Sequence, residues 1–455
     1  MVAISEITHT LLLFGVVCDY VVTKSKSLTC TLQSRALFLT RRSHRLRRTS
    51  VACFLFTMLF AFSSCSKQQT SKKDIIEENF DFAAKQLDYA LKEMKIAIEN
   101  ESGQSIHERA INSWSELTSP RSLNPDSSLL MVPSKDWCSG FFPGELWYMY
   151  EYTKDEKWKK SAYRRTIILE REKFNDRTHD MGFKMYCSYG NGYRLTGDTT
   201  YRNVLIESAR TLITRFNPKV GAIRSWDFGN WDFPVIIDNM LNLELLFWAT
   251  HETGDSTFYH IAVSHAKTTL KNHFRADYSS YHLVDYDSKT GQVRQKNTHQ
   301  GYNCESAWSR GQAWGLYGYV MCYRETGMTE FLEQAKHIAN FIFTHPNLPK
   351  DLIPYWDYNA PDIPNEPRDA SAATCTASAL YELSKYDKEN AEKYIKWADT
   401  IIENITRDYR VDLNTHKGFL LSHSTGAKIL GCEIDVPLVY ADYYFLEALL
   451  RKKNL

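Results

Sequence analysis

One short punctuation mark recurs along this chain and restricts its fold more than any other feature. Glu151-Tyr-Thr-Lys-Asp155 returns as Arg194-Leu-Thr-Gly-Asp198, His251-Glu-Thr-Gly-Asp255 and Arg324-Glu-Thr-Gly-Met328, with a weaker copy at Leu383-Ser-Lys-Tyr-Asp387. Each copy closes one apolar helical pattern and opens another. Gly suits the left-handed position just past a helix, where it has no Cβ to clash, and Asp accepts from the first free N–H groups of the next helix. The copies stand about 40 to 70 residues apart, the length of a helical hairpin plus a variable loop. Ahead of them, FDFAAKQLDYALKEMKIAIEN (80–100) sets Phe80, Ala83, Leu87, Leu91, Met94 and Ile98 on one stripe of an amphipathic helix. Five or six hairpins without a strand-rich region predict an all-α, single-domain closed toroid. An open solenoid is the alternative. The toroid is favoured because the polar and aromatic clusters fall in long loops between the helices, as an enclosed mouth requires.

Composition fits a globular body with a separate address. The 455 residues are 43% apolar and 24% charged, which excludes a disordered or low-complexity chain. The formal charge of +1 averages two unlike parts. Residues 1–64 hold 8 Lys/Arg and 2 acids, which leaves the remainder with 47 bases and 52 acids, a net of −5. A net-acidic body disfavours a general nucleic-acid binder. Five arginines in RRSHRLRR precede an uncharged run from Val51 to Phe62, then Ser63, Ser64 and Cys65. That is the order of a secretory signal, with a run too short to span a bilayer. The small residues before Cys65 and the polar SKQQTSKK after it resemble a bacterial lipobox, with Cys65 as the lipidated first residue. An ordinary signal peptide is the alternative. The reading is therefore a leader at 1–64, a lipidated N-terminus and linker at 65–75, and a catalytic domain at 76–455. The protein is expected to be an exported lipoprotein, periplasmic or anchored to the outer membrane, that meets a membrane only through its lipid. The stretch before Arg41 has the look of an over-extended gene start. Cys138, Cys187, Cys304, Cys322, Cys375 and Cys432 show no zinc-type spacing, so buried free thiols are expected and neither metal nor cofactor is indicated.

Four aromatic-and-polar segments break the helical background. Lys135-Asp-Trp-Cys-Ser-Gly-Phe-Phe-Pro-Gly144 puts the Trp137 ring beside a carboxylate; a packed loop is the alternative. Thr178-His179-Asp180-Met-Gly-Phe183 sets a His-Asp pair at a helix start, where an N-cap would also suit Asp180. In Asp232-Phe-Pro-Val-Ile-Ile-Asp238-Asn239, Asp238 is flanked by Ile237 and Met240-Leu241. Desolvation there should raise its pKa and keep a proton available for donation, although an N-cap is again the alternative. The fourth segment joins His299-Gln300-Gly301 to Ala307-Trp308-Ser-Arg310-Gly-Gln312-Ala-Trp314, with two indoles bracketing Arg310. Such an arginine either grips a carboxylate or serves a structural ion pair. Two separated carboxylates, an arginine and many indoles point to acid–base work on an acidic sugar. No GxSxG, Walker loop or Rossmann fingerprint is present.

Taken together, WCSGFFPG, HDMGF, IIDNMLNLELLFWA, HQGY, WSRGQAWGLYG, PYWDYNAP and RDASAA resemble glycoside hydrolase family 88, the unsaturated glucuronyl hydrolases. The resemblance runs from about Trp137 to at least Ser371 and implies an (α/α)6 barrel. It also implies a substrate class: the Δ4,5-unsaturated uronic acid left at the non-reducing end of oligosaccharides by lyases. Family members hydrate the C4=C5 vinyl ether, after which the product collapses and releases the neighbouring sugar. Carried over position by position, Asp238 resembles the general acid/base and Asp180 the second essential aspartate. Trp137, His179, Asn239, His282, Gln300, Arg310 and Trp314 resemble residues lining the sugar subsite. In this reading Arg310, with Gln300 or His282, binds the uronate carboxylate, and Trp137 and Trp314 stack on sugar. Leu421-Ser422-His423-Ser424-Thr-Gly-Ala-Lys428 resembles the stretch that meets the second sugar and its sulfate, so Ser422, Ser424 and Lys428 are candidates there. The partners expected are unsaturated uronic-acid oligosaccharides, and no protein partner is legible.

Three other readings use the same features. One is the related family that acts on unsaturated rhamnogalacturonan products. Another is a non-catalytic surface lipoprotein that captures glycans in its aromatic mouth, and the third an inverting glycosidase on saturated substrates.

Overall fold

The computed structural model describes residues 74–101 and 117–455, so the leader, Cys65 and most of the linker lie outside it. All described residues belong to one compact unit, Lys73–Leu455.

Six helical layers form an inner ring: α2 (Phe141–Thr153), a π-helical stretch (Gly182–Gly190) running into α4 (Asn191–Thr196), α6 and α7 (Asn239–Asn242, Glu244–Thr253), α9 (Ser309–Thr326), α11 (Ala370–Leu383) and α13 (Val439–Lys453). Outside them run α1 (Ile75–Glu101), α3 (Glu156–Thr166), α5 (Thr199–Ile213), α8 (Ser256–Asn272), α10 (Thr329–Thr344) and α12 (Ala391–Asn404). Burial explains the sorting. In α9 every side chain from Ser309 to Cys322 is buried, and in α13 every one from Val439 to Leu450. Helices hidden on all sides need apolar or internally bonded residues all round. In α12 the buried apolar residues are Tyr394, Ala398, Ile401 and Ile402, one stripe at helical spacing. The ring closes because α13 packs against both α11 and α2. This is the (α/α)6 toroid; an open solenoid would leave α2 and α13 apart.

The four stronger copies of the punctuation end their helices as their residues dictate, whereas at the weaker copy Asp387 caps no helix and α12 starts after Asn390. Gly197, Gly254 and Gly327 take φ of 70°, 73° and 65°, and Lys154 adopts the same region at 57°. Asp155, Asp198 and Asp255 then cap the following helices, accepting from the N–H of Lys157, Thr200 and Thr257 at 2.9 Å each. Met328 cannot, and α10 begins with no side-chain cap.

The expectation of no strand-rich region needs one refinement. A three-stranded antiparallel sheet joins β5 (Phe233–Ile236), β6 (Leu283–Tyr286) and β7 (Val293–Asn297). Two smaller hairpins pair β1 (Leu117–Leu123) with β2 (Leu129–Pro133), and β3 (Phe216–Asn217) with β4 (Ala222–Ile223). These strands are of 2–7 residues and sit in loops, too short to register against the helical pattern. The three-stranded sheet delivers Asp238 and His282 to the same place, since the Ile237 N–H donates to His282 O at 3.0 Å.

The six cysteines of the described body are free, with Cys138, Cys187, Cys322 and Cys375 buried. Cys304 and Cys432 are exposed, against expectation, because they lie on loops rather than inner helices.

Candidate active site

Every inner layer enters the ring from the same end, and the singled-out residues gather there. Trp137 precedes α2, His179 and Asp180 precede the π-helical stretch, and Asp238 precedes α6. Arg310 opens α9 and Asp369 precedes α11. Helix N-termini carry partial positive charge and free N–H groups, so this end suits an anionic sugar. At the other end the same layers enclose a separate cavity of about 260 Å³, lined by residues such as Glu151, Arg194, Glu447 and Arg451. Its charges are spent on one another, as in the Arg194–Glu151 pair at 2.5 Å.

Asp238 stands in the N-cap position of α6 but caps nothing: its side chain bonds no helix N–H. The residue is 8% exposed, and its Oδ2 has no hydrogen-bond partner. Burial pushes its pKa up to about 7, and the charge of Asp180 adds to the rise. Arg310 and the nearby Trp314 N–H pull the other way, the indole without completing a hydrogen bond. A carboxylic acid in that range holds a proton at neutral pH and can release it.

Asp180 is also free of capping duty. Thr178 Oγ1 donates to its Oδ2 at 2.6 Å, and His179 Nε2 lies 3.2 Å from its Oδ1. His179 in turn donates from Nδ1 to Ser225 O at 2.7 Å.

His282 completes the group. Its Nδ1 accepts two backbone N–H bonds, from His299 at 3.0 Å and Gln300 at 3.1 Å. The remaining proton of the neutral ring must then sit on Nε2, which faces Asp238 Oδ2 at 3.6 Å. Burial and surrounding positive groups hold this imidazole well below the usual histidine range.

Trp137 is half-buried, with its ring against Phe141, Phe183 and Tyr440. Gly140 allows this turn to lie on the adjoining π-helical stretch: a Cβ there would stand 2.2 Å from Lys184 O. Gln300 reaches the rim and donates to Gly426 O at 3.1 Å.

Four expected roles change. Arg310, buried, is not a free fork for a uronate. Its Nη1 donates to Asp369 Oδ2 at 2.7 Å and Thr425 O at 2.6 Å, while Nη2 donates to Gly426 O at 2.5 Å. It is the structural ion pair, and it clamps the 425–426 loop against the site. Trp314 is fully buried with its ring packed on Phe183 and Tyr444, so no face is open to stack on sugar. Asn239 is also fully buried, and its Nδ2 donates to Ile223 O at 3.0 Å, so it ties β4 to α6. In the second-sugar stretch, Ser424 is buried and Lys428 is ion-paired with buried Glu366, with its ammonium 5.6 Å from the Trp356 ring. Ser422 is half-buried beside them, its N–H donating to Tyr409 O at 2.9 Å.

The residue reading also missed an aromatic group at the mouth. Trp226 stacks on Phe228 at 4.7 Å and packs with Trp231, and the His299 ring touches all three. The string SWDFGNWDF (225–233) carried that signal in its density of rings. Thr178, Ser225, Glu366 and Asp369 act by holding other side chains, and no local pattern marks such roles.

Among the described residues no group of three or more His, Cys, Asp or Glu is placed to hold a metal ion. No family model matches the chain. It is 52% identical over 341 residues to an unsaturated glucuronyl hydrolase of Formosa agariphila, spanning 74% of this chain and 85% of that protein. An unsaturated chondroitin disaccharide hydrolase of Streptococcus pneumoniae is 34% identical over 335 residues, 72% of this chain and 84% of that one. Among solved structures, an unsaturated glucuronyl hydrolase specific for heparin superposes with a TM-score of 0.77 at 46% identity, covering 84% of this chain and 98% of that chain.

Proposed function

The chain belongs to glycoside hydrolase family 88, the unsaturated glucuronyl hydrolases, and from that membership we propose that Asp238 is the acid with which it hydrates its substrate. The enzyme removes the Δ4,5-unsaturated uronic acid from the non-reducing end of lyase-generated glycosaminoglycan oligosaccharides. The observation that carries the assignment is a carboxyl group buried without a partner and pushed up to about 7. Asp238 gives its proton to C4 of the electron-rich alkene, leaving positive charge shared by C5 and the ring oxygen. Water adds at C5 as its proton passes to the Asp238 carboxylate, which restores the acid. The resulting hemiketal opens by breaking the bond from C5 to the ring oxygen, and C5 becomes a carbonyl. That oxygen, now a hydroxyl on C1, forms a hemiacetal that collapses and expels the neighbouring sugar.

The other roles follow from position. The Nε2–H of His282 offers a donor beside Asp238, and Asp180 supplies a second carboxylate for ring hydroxyls. Trp137 and the ring group around Trp226 give apolar surface at the mouth. Incubation with unsaturated disaccharides from several glycosaminoglycans, following the enol-ether absorbance, tests this reading. Wild type should consume them and Asp238→Asn should not; comparable turnover by the variant rejects Asp238 as the acid.

Export as a lipoprotein anchored through Cys65 is our reading of the leader, supported by the arginines, the short apolar run and the Ser63-Ser64-Cys65 junction. Palmitate labelling lost in Cys65→Ser supports it, and labelling retained in that variant rejects it.

A further inference from the structure

The body of this chain is net acidic, yet one groove beside the catalytic mouth is not. It measures about 770 Å³, and its charged lining is Asp176, Arg215, Lys219, Arg224, Asp227 and Lys289. Four cations against two carboxylates leave it a net charge of +2. Asp227 is already taken up: Arg215 holds it with both Nη atoms, at 2.9 and 3.1 Å, and Arg224 Nε lies 3.4 Å away. Asp232 and Asp287 stand next to the groove, and both accept from backbone N–H groups of the 287–290 turn. Lys219 and Lys289 are exposed, and among the described residues neither ammonium has an acidic partner.

The groove is rigid where it carries these lysines. Asn217 Nδ2 donates to Ser288 O at 2.9 Å, and a Cβ on Gly291 would stand 2.0 Å from Lys219 O, so the two lysine-bearing turns are locked together. Its other walls belong to the catalytic site. Arg215 donates to Asp176 O, at the start of the loop that ends in Asp180. Ser225 O, between Arg224 and Trp226, accepts from the N–H and from Nδ1 of His179. Trp226 packs on His299 at the mouth and stacks on exposed Phe228, whereas Arg224 and Asp227 line the groove. One short segment, 224–228, thus presents rings on the mouth side and charges on the groove side.

We propose that this groove is a distal binding site for the sulfate and carboxylate groups on the third and fourth sugars of longer lyase products. The inference rests on the reading of the chain as a hydrolase of such products. Cations on fixed turns suit those anionic oxygens, and the Phe228 ring offers a face to a pyranose on the way. A disaccharide is too short to meet Lys219 or Lys289, whereas a tetrasaccharide spans to them. Contacts away from the reacting alkene hold substrate and transition state alike, so they lower KM and leave kcat unchanged.

The test compares an unsaturated sulfated tetrasaccharide with the disaccharide of the same polymer, in wild type and in the double variant Lys219→Ala/Lys289→Ala. Both side chains are exposed, so the variant keeps its fold. Wild type should show a KM about tenfold lower for the tetrasaccharide, the worth of two or three exposed ion pairs, at similar kcat. The double variant should lose most of that advantage and turn over the disaccharide as wild type does. Equal KM for the two lengths in wild type, or a double variant that weakens both alike, overturns the proposal. Calorimetry in the Asp238→Asn background reads the groove without turnover. Tighter binding of the tetrasaccharide, removed by the lysine changes, supports the site; equal binding of the two lengths overturns it. Wild type that leaves every unsaturated disaccharide intact rejects the functional reading, whatever the calorimetry shows.

Discussion

His282 Nε2 lies 3.6 Å from Asp238 Oδ2, with the far side of its ring pinned by the backbone N–H groups of His299 and Gln300. The imidazole is thereby fixed as a neutral donor and is not the group that titrates during turnover. With Asp238 as the proposed acid, whose active form is protonated, the falling limb of kcat/KM at high pH belongs to it. Activity should be full in mildly acid solution and decline through about pH 7. Replacing His282 by Gln should lower kcat about ten- to a hundredfold without removing that limb. A profile flat to pH 9 in wild type contradicts the assignment.

Burying an acid costs stability wherever the unfolded chain would ionise it. The folded-state pKa of Asp238 is raised, so between its ordinary value of 3.8 and about 7 the folded protein binds more protons than the unfolded one. Stability then falls as pH rises across that window. Asp238→Asn removes this penalty, on the order of a few kcal/mol above pH 7. The variant should melt higher than wild type at pH 7.5, and the gap should close toward pH 4. Thermal melts across that range check it; an equal gap at both ends contradicts it.

Arg310 and Asp369 form a buried pair at 2.7 Å, with the arginine also bonded to the carbonyls of Thr425 and Gly426. Asp369→Asn leaves the guanidinium charge buried without its counter-ion and should cost about 3–5 kcal/mol. It also loosens the loop whose Gly426 carbonyl meets Gln300. The melting temperature should drop and KM should rise, with the alkaline limb unmoved, as melts and a pH–rate profile will show.

Lys428 is bound to Glu366, a side chain only 2% exposed that also accepts from Trp356 Nε1 at 2.7 Å. Lys428→Ala should therefore act chiefly on stability, by leaving that carboxylate unpaired. The ratio of kcat/KM for sulfated over unsulfated disaccharide should change by less than about threefold, the scale of an already compensated charge. A tenfold loss confined to sulfated substrate would show that the lysine leaves Glu366 to bind the sulfate.

The hairpin architecture was legible because its signals are local. The Thr-Gly-Asp steps need a left-handed residue followed by a cap, and each sits where a helix ends. Asp238 was legible too, since its apolar flanks forecast the burial that raises its pKa. Arg310 was not: its partners, Asp369, Thr425 and Gly426, lie 59 to 116 residues away, beyond any local pattern. The same holds for Lys428 with Glu366, 62 residues apart. Trp314 was assigned an open face because indoles often stack on sugars, but its place inside α9 buries both faces. Short strands such as β5 were lost because four residues do not outweigh the surrounding helical pattern.

Proton delivery to the ring alkene can be followed atom by atom. An unsaturated glycosaminoglycan disaccharide turned over in D₂O by wild type should lose its enol-ether absorbance as the second sugar is freed, with one deuterium bonded to C4 of the uronic product. The Asp238→Asn protein should leave the substrate unchanged. Release of the second sugar with the alkene intact and no deuterium at C4 would mean that the enzyme cleaves as an ordinary glycosidase, contrary to the chemistry proposed for Asp238.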